Sequence, residues 1–180
     1  MIYEPREDSL LLKKYVKKLS RNKSFLDIGS GSGILAETAI KAKAKLVLAS
    51  DIDPESVKLL KQKNIKAVKS DLFANIKEKF DLIVFNPPYL LKDEREDKES
   101  KRVTTGGKKG DEIILKFLKQ APKHLNKNGK ILLIISSLTP KNRINHLLKN
   151  QNLKRKILEA QSFFFEKIEC WEITINHNNE

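Results

Sequence analysis

The spacing of apolar residues changes several times along the chain, and each change marks an element. Between residues 7 and 20, Leu11, Leu12, Tyr15, Val16 and Leu19 recur at three and four, the period of a helix with one buried face. Asp8 stands in its first turn, where negative charge complements the helix amino end. Ser24-Phe25-Leu26-Asp27-Ile28 reads as a short strand running straight into Gly29-Ser30-Gly31-Ser32-Gly33. Ile34, Leu35, Thr38, Ala39 and Ala42 then mark a second helix. A second strand is predicted over 45–50, followed by a helix with Asp53 as N-cap and Pro54 at its first position. Residues 65–69 form a short third strand. Residues 80–85 form a fourth, β-branched and aromatic with no glycine, as suits a buried central strand.

The second half begins with residues 90–109, which lack hydrophobic periodicity and are dense in both signs of charge. A connection this long inside a domain is a functional loop or a disordered one. A helix is predicted over 112–125, burying Ile113, Ile114, Phe117, Leu118 and Ala121. Asn128-Gly129 is the turn into an apolar strand at 130–135, and Pro140 opens a basic helix to residue 150. Strands close the chain at 153–160 and 169–175. In the last, Trp171, Ile173 and Ile175 alternate with Glu172 and Thr174, as in an outer strand.

Composition narrows the class. A chain of 180 residues suits one domain with a sizeable core. The net charge of +13 favours an acidic partner, RNA among them, or else describes a solvated lysine surface. Residues 113–158 carry no Asp or Glu and hold much of the positive charge. A single cysteine, Cys170, excludes an internal disulfide framework and a cysteine metal cluster, so a reducing cytoplasm is expected. No apolar run approaches the ~20 residues that span a bilayer, and the opening residues are too acidic for a signal peptide. His124, His146 and His177 lie far along the chain and read as surface residues.

Candidate chemistry gathers where strands end. The fourth strand stops at Asn86-Pro87-Pro88-Tyr89, which places Asn86 at the carboxyl edge of a sheet, where open α/β folds bind ligands. Two prolines fix φ twice and remove two N–H donors, and Pro87 pushes Asn86 out of helical conformation. Such a turn can hold an amide side chain, a free carbonyl and an aromatic face around one planar NH2-bearing group. The glycine loop with the amino end of the following helix forms a ligand cradle. A dinucleotide fingerprint would need glycine at position 34, which is Ile34. Asp27 beside the loop would repel a pyrophosphate but suits the ammonium of an amino-acid moiety, which points to S-adenosylmethionine. Asp51 ends the second strand where a carboxylate can take both ribose hydroxyls. Asp71 ends the third, in reach of an adenine amino group or as an N-cap for the residues after it.

In their order and spacing, Asp27-x-Gly29-x-Gly31-x-Gly33, Asp51, Asp71 and Asn86-Pro87-Pro88-Tyr89 resemble a class I S-adenosylmethionine-dependent methyltransferase acting on an amide or exocyclic nitrogen. Tyr3-Glu4-Pro5-Arg6-Glu7-Asp8-Ser9, Asp71-Leu72 and Gly106-Gly107-x-x-Gly110 narrow this. They resemble the archaeal and eukaryotic branch of HemK-type methyltransferases, which modify the glutamine of the Gly-Gly-Gln loop in class 1 peptide release factors. The resemblance implies an α/β, single-domain Rossmann-like fold: a seven-stranded, mostly parallel sheet in the order 3-2-1-4-5-7-6, with helices on both faces. That domain would span 1–180, with 1–23 an N-terminal helical segment and 90–110 a charged substrate-side loop. Cofactor roles fall on Ser9, Asp27, Gly29, Gly31, Gly33, Asp51, Asp71, Leu72 and Asn86, and acceptor roles on Asn86, Pro87, Pro88 and Tyr89; no metal is implied. Relatives commonly pair with a small zinc-binding activator. In this chain it would dock on the edge strand at 65–69, beside Leu46, Leu48, Ile65 and Val68, which are expected to be exposed. The charged run Lys92-Asp93-Glu94-Arg95-Glu96-Asp97 departs from the family and bears on substrate choice. An adenine-N6 methyltransferase on RNA or DNA, a protein lysine methyltransferase and a non-catalytic cofactor-binding scaffold are the alternatives.

Overall fold

The run Phe80–Phe85 forms strand β4, and its neighbours set the architecture of the computed structural model, which describes residues 7–88, 110–163 and 166–176. The expectations placed on residues 1–6, Tyr89, residues 90–109 and His177 lie outside the described residues. The other strands are β1 Ser24–Ile28, β2 Leu46–Asp51, β3 Ala67–Lys69, β5 Leu125–Ser136, β6 Leu153–Ser162 and β7 Lys167–Ile175. They form one seven-stranded sheet in the order β3-β2-β1-β4-β5-β7-β6. Strands β3, β2, β1, β4 and β5 pair in parallel, and β7 is antiparallel to both β5 and β6. The described helices are α1 Glu7–Leu19, α2 Ile34–Lys41, α3 Pro54–Gln62, α4 Glu112–Gln120 and α5 Lys141–Asn150.

Two apolar layers sandwich the sheet. Leu11, Leu12 and Val16 of α1 and Leu35 and Ala39 of α2 pack with Phe25, Leu82, Val84, Leu132 and Ile134 on one face. On the other, Ile114, Phe117 and Leu118 of α4 and Ile144 and Leu148 of α5 meet Leu26, Ile83, Phe85, Ile131 and Leu133. Alternate residues of β4 and β5 thus serve both layers, which is why these strands read as continuous apolar runs.

Four expectations are corrected. The helix predicted over 112–125 ends at Gln120: Pro122 cannot donate to a continuing ladder, the backbone tightens into a 3-10 turn at Ala121–His124, and Leu125 already belongs to β5. Asn128-Gly129 lies within β5 as an irregularity, since Phe80 pairs with Leu125 but Leu82 with Lys130. Strand β7 is not outer. It lies between β5 and β6, where Trp171 and Ile173 are fully buried and β6 forms the edge. Of the four side chains expected to be exposed beside β3, Leu48 and Ile65 are buried. Val68 is half-buried, and only Leu46 is exposed. Ile65 precedes a three-residue β3 and turns inward onto Leu60 of α3 and Ala36 of α2.

Candidate active site at the carboxyl edge of the sheet

Parallel pairing brings the candidate residues to one edge. Ile28 is level with Ser50 on one side and Phe85 on the other, so the glycine loop, Asp51 and Asn86 emerge side by side above β1, β2 and β4. Gly29, Gly31 and Gly33 have φ of 65°, 50° and 85°, in the left-handed region open mainly to glycine. This explains a glycine at every second position. At Gly33 space forbids a side chain as well: an added Cβ would come within 2.6 Å of Leu60 Cδ2. Gly33 ends the loop and leads into α2 with no side-chain cap, leaving its amino end directed to the edge.

Asp27 is 1 % exposed and neither carboxylate oxygen has a hydrogen-bond partner among the described residues. Burial pushes its carboxyl up to about 7; the nearby Ser30 hydroxyl offsets part of this, and the Asp51 charge adds to it. A carboxylate left in this state is completed by a cation. Asp51 is tied to the loop. Its Oδ2 accepts from Gly31 N–H at 2.8 Å and its Oδ1 from Asp53 N–H at 2.9 Å. Each oxygen keeps a further lone pair for a hydroxyl. Burial raises this carboxyl too, against the pull of the Asp53 and Gly31 N–H groups. Asp53 itself caps α3, accepting from Glu55 N–H at 3.1 Å, with Pro54 at the first helical position as the sequence predicts.

Asp71 follows β3, but its half-exposed carboxylate accepts from Lys116 Nζ of α4 at 2.6 Å and does not cap a helix. An ion pair this exposed contributes about 0–1 kcal/mol, so a ligand amino group can compete for it. Leu72 holds φ at 51°, unusual for a leucine, with its carbonyl taking the Ser70 hydroxyl at 2.8 Å.

The geometry at Asn86 is the most informative. Asn86 Nδ2 donates to Ser9 Oγ at 3.2 Å, while its Oδ1 is buried with no partner among the described residues. Ser9 is therefore drawn to the amide, and its hydroxyl donates to Asp8 Oδ1 at 3.3 Å. A carboxylate accepts and does not donate, so the Ser9 oxygen is left to receive from Asn86. This relay fixes which way the amide faces, a choice that atomic positions alone leave open. Pro87 is buried and Pro88 half-buried beside it. Tyr89, the fourth residue of the turn, lies outside the described residues.

Two neighbours were missed by sequence reasoning. Asp8 reads as a helix-end charge, and only the fold shows that it directs Ser9. Ile52 is 59 % exposed immediately after Asp51, an apolar side chain on the ligand edge; the signal was there in an isoleucine set between two aspartates. Among the described residues no cluster could hold a metal, and two surface depressions of 490 and 290 Å³ are lined by none of these side chains.

A sheet in this order, with a glycine loop, an orphaned Asp27 and an Asn-Pro-Pro turn at one edge, defines a class I S-adenosylmethionine-dependent methyltransferase. Comparison with known proteins agrees. The model of the methyltransferase small domain matches residues 7–163. A protein of Methanocaldococcus jannaschii, provisionally named an N5-glutamine methyltransferase, is 38 % identical over 96 % of this chain and 92 % of its own length. The release factor glutamine methyltransferase of Lactococcus lactis subsp. lactis is 32 % identical over 75 % of this chain; the match spans 55 % of that longer protein. Among solved structures, that of the E. cuniculi Mtq2–Trm112 complex, described as responsible for methylating the eRF1 termination factor, superimposes with a TM-score of 0.77. It is 22 % identical, over 97 % of this chain and 99 % of that one. The chain belongs to the methyltransferase small domain family, and it is a methyltransferase that uses S-adenosylmethionine.

Proposed function

We propose that the acceptor is the side-chain amide nitrogen of a glutamine in the Gly-Gly-Gln loop of a class 1 peptide release factor. The observation that carries this reading is the polarity of Asn86, whose Nδ2 is engaged by Ser9 while its buried Oδ1 is an acceptor with no partner among the described residues. An unsatisfied buried acceptor costs about 1–3 kcal/mol, which an incoming N–H recovers. The relatives named for glutamine methylation support the same choice.

An amide nitrogen is a poor nucleophile because its lone pair is delocalised into the carbonyl. Asn86 Oδ1 accepts one N–H and the Pro87 carbonyl the other, drawing the lone pair away from the carbonyl. Pro88 shapes the turn, and the aromatic face that would hold the amide plane is the role expected of Tyr89 from the sequence. Asp27 would take the cofactor's ammonium, Asp51 its ribose hydroxyls, and Asp71 with the Leu72 backbone its adenine; exposed Ile52 would offer that group an apolar neighbour, and Gly29, Gly31 and Gly33 would let the chain approach closely. Bound there, the cofactor supplies a methyl already activated by a sulfonium. The protein aligns the nitrogen with it and excludes water.

A small activator protein is the proposed partner at the β3 edge, supported by that unpaired edge, by exposed Leu46 and by the two-protein complex of the E. cuniculi structure. An acceptor in the translation machinery implies the cytoplasm, in keeping with the finding that no described helix is long and apolar enough to cross a membrane.

The test is mass spectrometry after incubation with labelled cofactor, release factor and, separately, RNA. One methyl on a glutamine amide is expected, with Asn86→Ala slower by about 10² to 10³ at unchanged cofactor affinity, because that bond strengthens as the nitrogen pyramidalises. Label on RNA alone would overturn the reading.

A further inference from the structure

Among the large apolar side chains exposed in the described residues, Ile40, Leu46 and Ile157 lie elsewhere on the surface and Ile52 follows Asp51. Three others, Leu10 at 54 % exposed, Leu138 at 51 % and Phe163 at 38 %, lie where α1 begins and where β5 and β6 end, at the carboxyl edge of the sheet. Leu10 follows Ser9, whose hydroxyl receives the Asn86 amide, so it lies in the first turn of α1 beside the catalytic turn. Leu138 lies two residues beyond the end of β5 and Phe163 one beyond the end of β6, and β5 and β6 both run toward that edge.

The two loops carrying Leu138 and Phe163 are fastened together. Ser136 Oγ donates to Glu166 Oε1 and accepts from Leu138 N–H at 3.0 Å. Ser137 N–H donates to the Lys167 carbonyl at 2.7 Å, and Lys167 N–H donates to Ser137 Oγ at 3.0 Å. Phe163 N–H donates to the Glu166 carbonyl at 2.7 Å. Apolar side chains on a braced scaffold present a formed surface, and ordering them on binding costs little. Leu138 and Phe163 follow β5 and β6, across β4 from the strands that lead to Asp27 and Asp51, and Leu10 adjoins Ser9, whose hydroxyl receives the Asn86 amide.

We propose that Leu10, Leu138 and Phe163 form the docking rim for the folded domain of the protein substrate, gripping it while its glutamine reaches Asn86. This rests on the release-factor reading. The chemistry of the rim favours that occupant over a polynucleotide: phosphates seek cations, whereas these three side chains offer apolar anchors of the kind that hold protein partners.

The experiment compares methylation of intact release factor with that of a short peptide carrying the same Gly-Gly-Gln segment. In the double variant Leu138→Ser, Phe163→Ser, KM for the intact factor should rise by about tenfold while kcat and the peptide's KM stay near wild type. Leu10→Ser, on a different element, should raise the same KM and serves if the double variant melts early. An unchanged KM for the intact factor in both variants would overturn the rim and leave the glutamine reading standing. An equal rise for the peptide would also overturn it, since the side chains would then act at the acceptor opening itself. Wild-type enzyme that labels RNA and neither protein substrate would remove the reading and the rim together.

Discussion

Asp27 is a carboxylate buried without a hydrogen-bond partner among the described residues, and its titration should be visible in ligand binding. Its pKa is raised by burial to about 7, so between the ordinary aspartate range and pH 7 the free protein holds a proton there that the unfolded chain has lost. Stability from this group therefore falls as pH climbs through that window. A cationic ligand reverses the preference and expels the proton. Cofactor affinity should rise from pH 5.5 to about 7 and then level off, and calorimetry in two buffers of different ionisation enthalpy should detect proton release. Asp27→Asn should abolish that pH slope; a slope that persists in the variant would assign it to another group. The residue itself was legible in sequence, since an acid before alternating glycines is conspicuous. Its isolation was not, because nothing in the chain order tells that Ser30 spends its hydroxyl on the Asp27 carbonyl instead of the carboxylate.

At the scale of elements, the glycine loop is the part most tightly constrained. Gly33 combines φ of 85° with a Leu60 methyl 2.6 Å from any Cβ, and Leu60 is fully buried and cannot swing into solvent. At Gly29 the nearest atom is the Phe85 ring at 3.4 Å, an ordinary contact. Gly33→Ala should thus lose roughly 1–3 kcal/mol in urea unfolding and exceed Gly29→Ala, which carries backbone strain alone. Equal losses would show that the Leu60 contact relaxes freely. Periodicity located these elements well where one rule governed them: Ser24–Ile28 and Phe80–Phe85 stand as their composition predicts. It failed where two rules competed. The apolar pattern of α4 continues through Ala121 to Leu125, but Pro122 interrupts it, and Leu125 is buried as strand rather than helix. Alternation in β7 reports two environments along one strand, and was compatible with an outer position until pairing set β6 beyond it.

For the molecule as a whole, the sheet has two different margins. Strand β6 is long and carries exposed Lys154, Arg155 and Lys156, charges that discourage pairing with another chain. Strand β3 has three residues, with exposed Leu46 at the start of β2 nearby. The isolated chain should self-associate through this margin at high concentration. The variant Leu46→Lys should scatter less light at unchanged melting temperature; identical scattering would deprive the proposed partner of its surface. Net charge of +13 was plain in the sequence, yet it did not reveal that Leu10, Leu138 and Phe163 are exposed at one edge of the sheet, because they are far apart in the chain.

The link from Asn86 through Ser9 to Asp8 extends the proposed site into the first helix. The proline turn supplies an amide but carries no instruction about which of its two ends should face the acceptor. That instruction enters from the first helix, 77 residues upstream, through a hydroxyl oriented by a carboxylate. On the proposed mechanism, a segment that looks like packaging around the sheet would belong to the reaction's grammar, and a fragment that begins after Asp8 should lose that orientation of the amide.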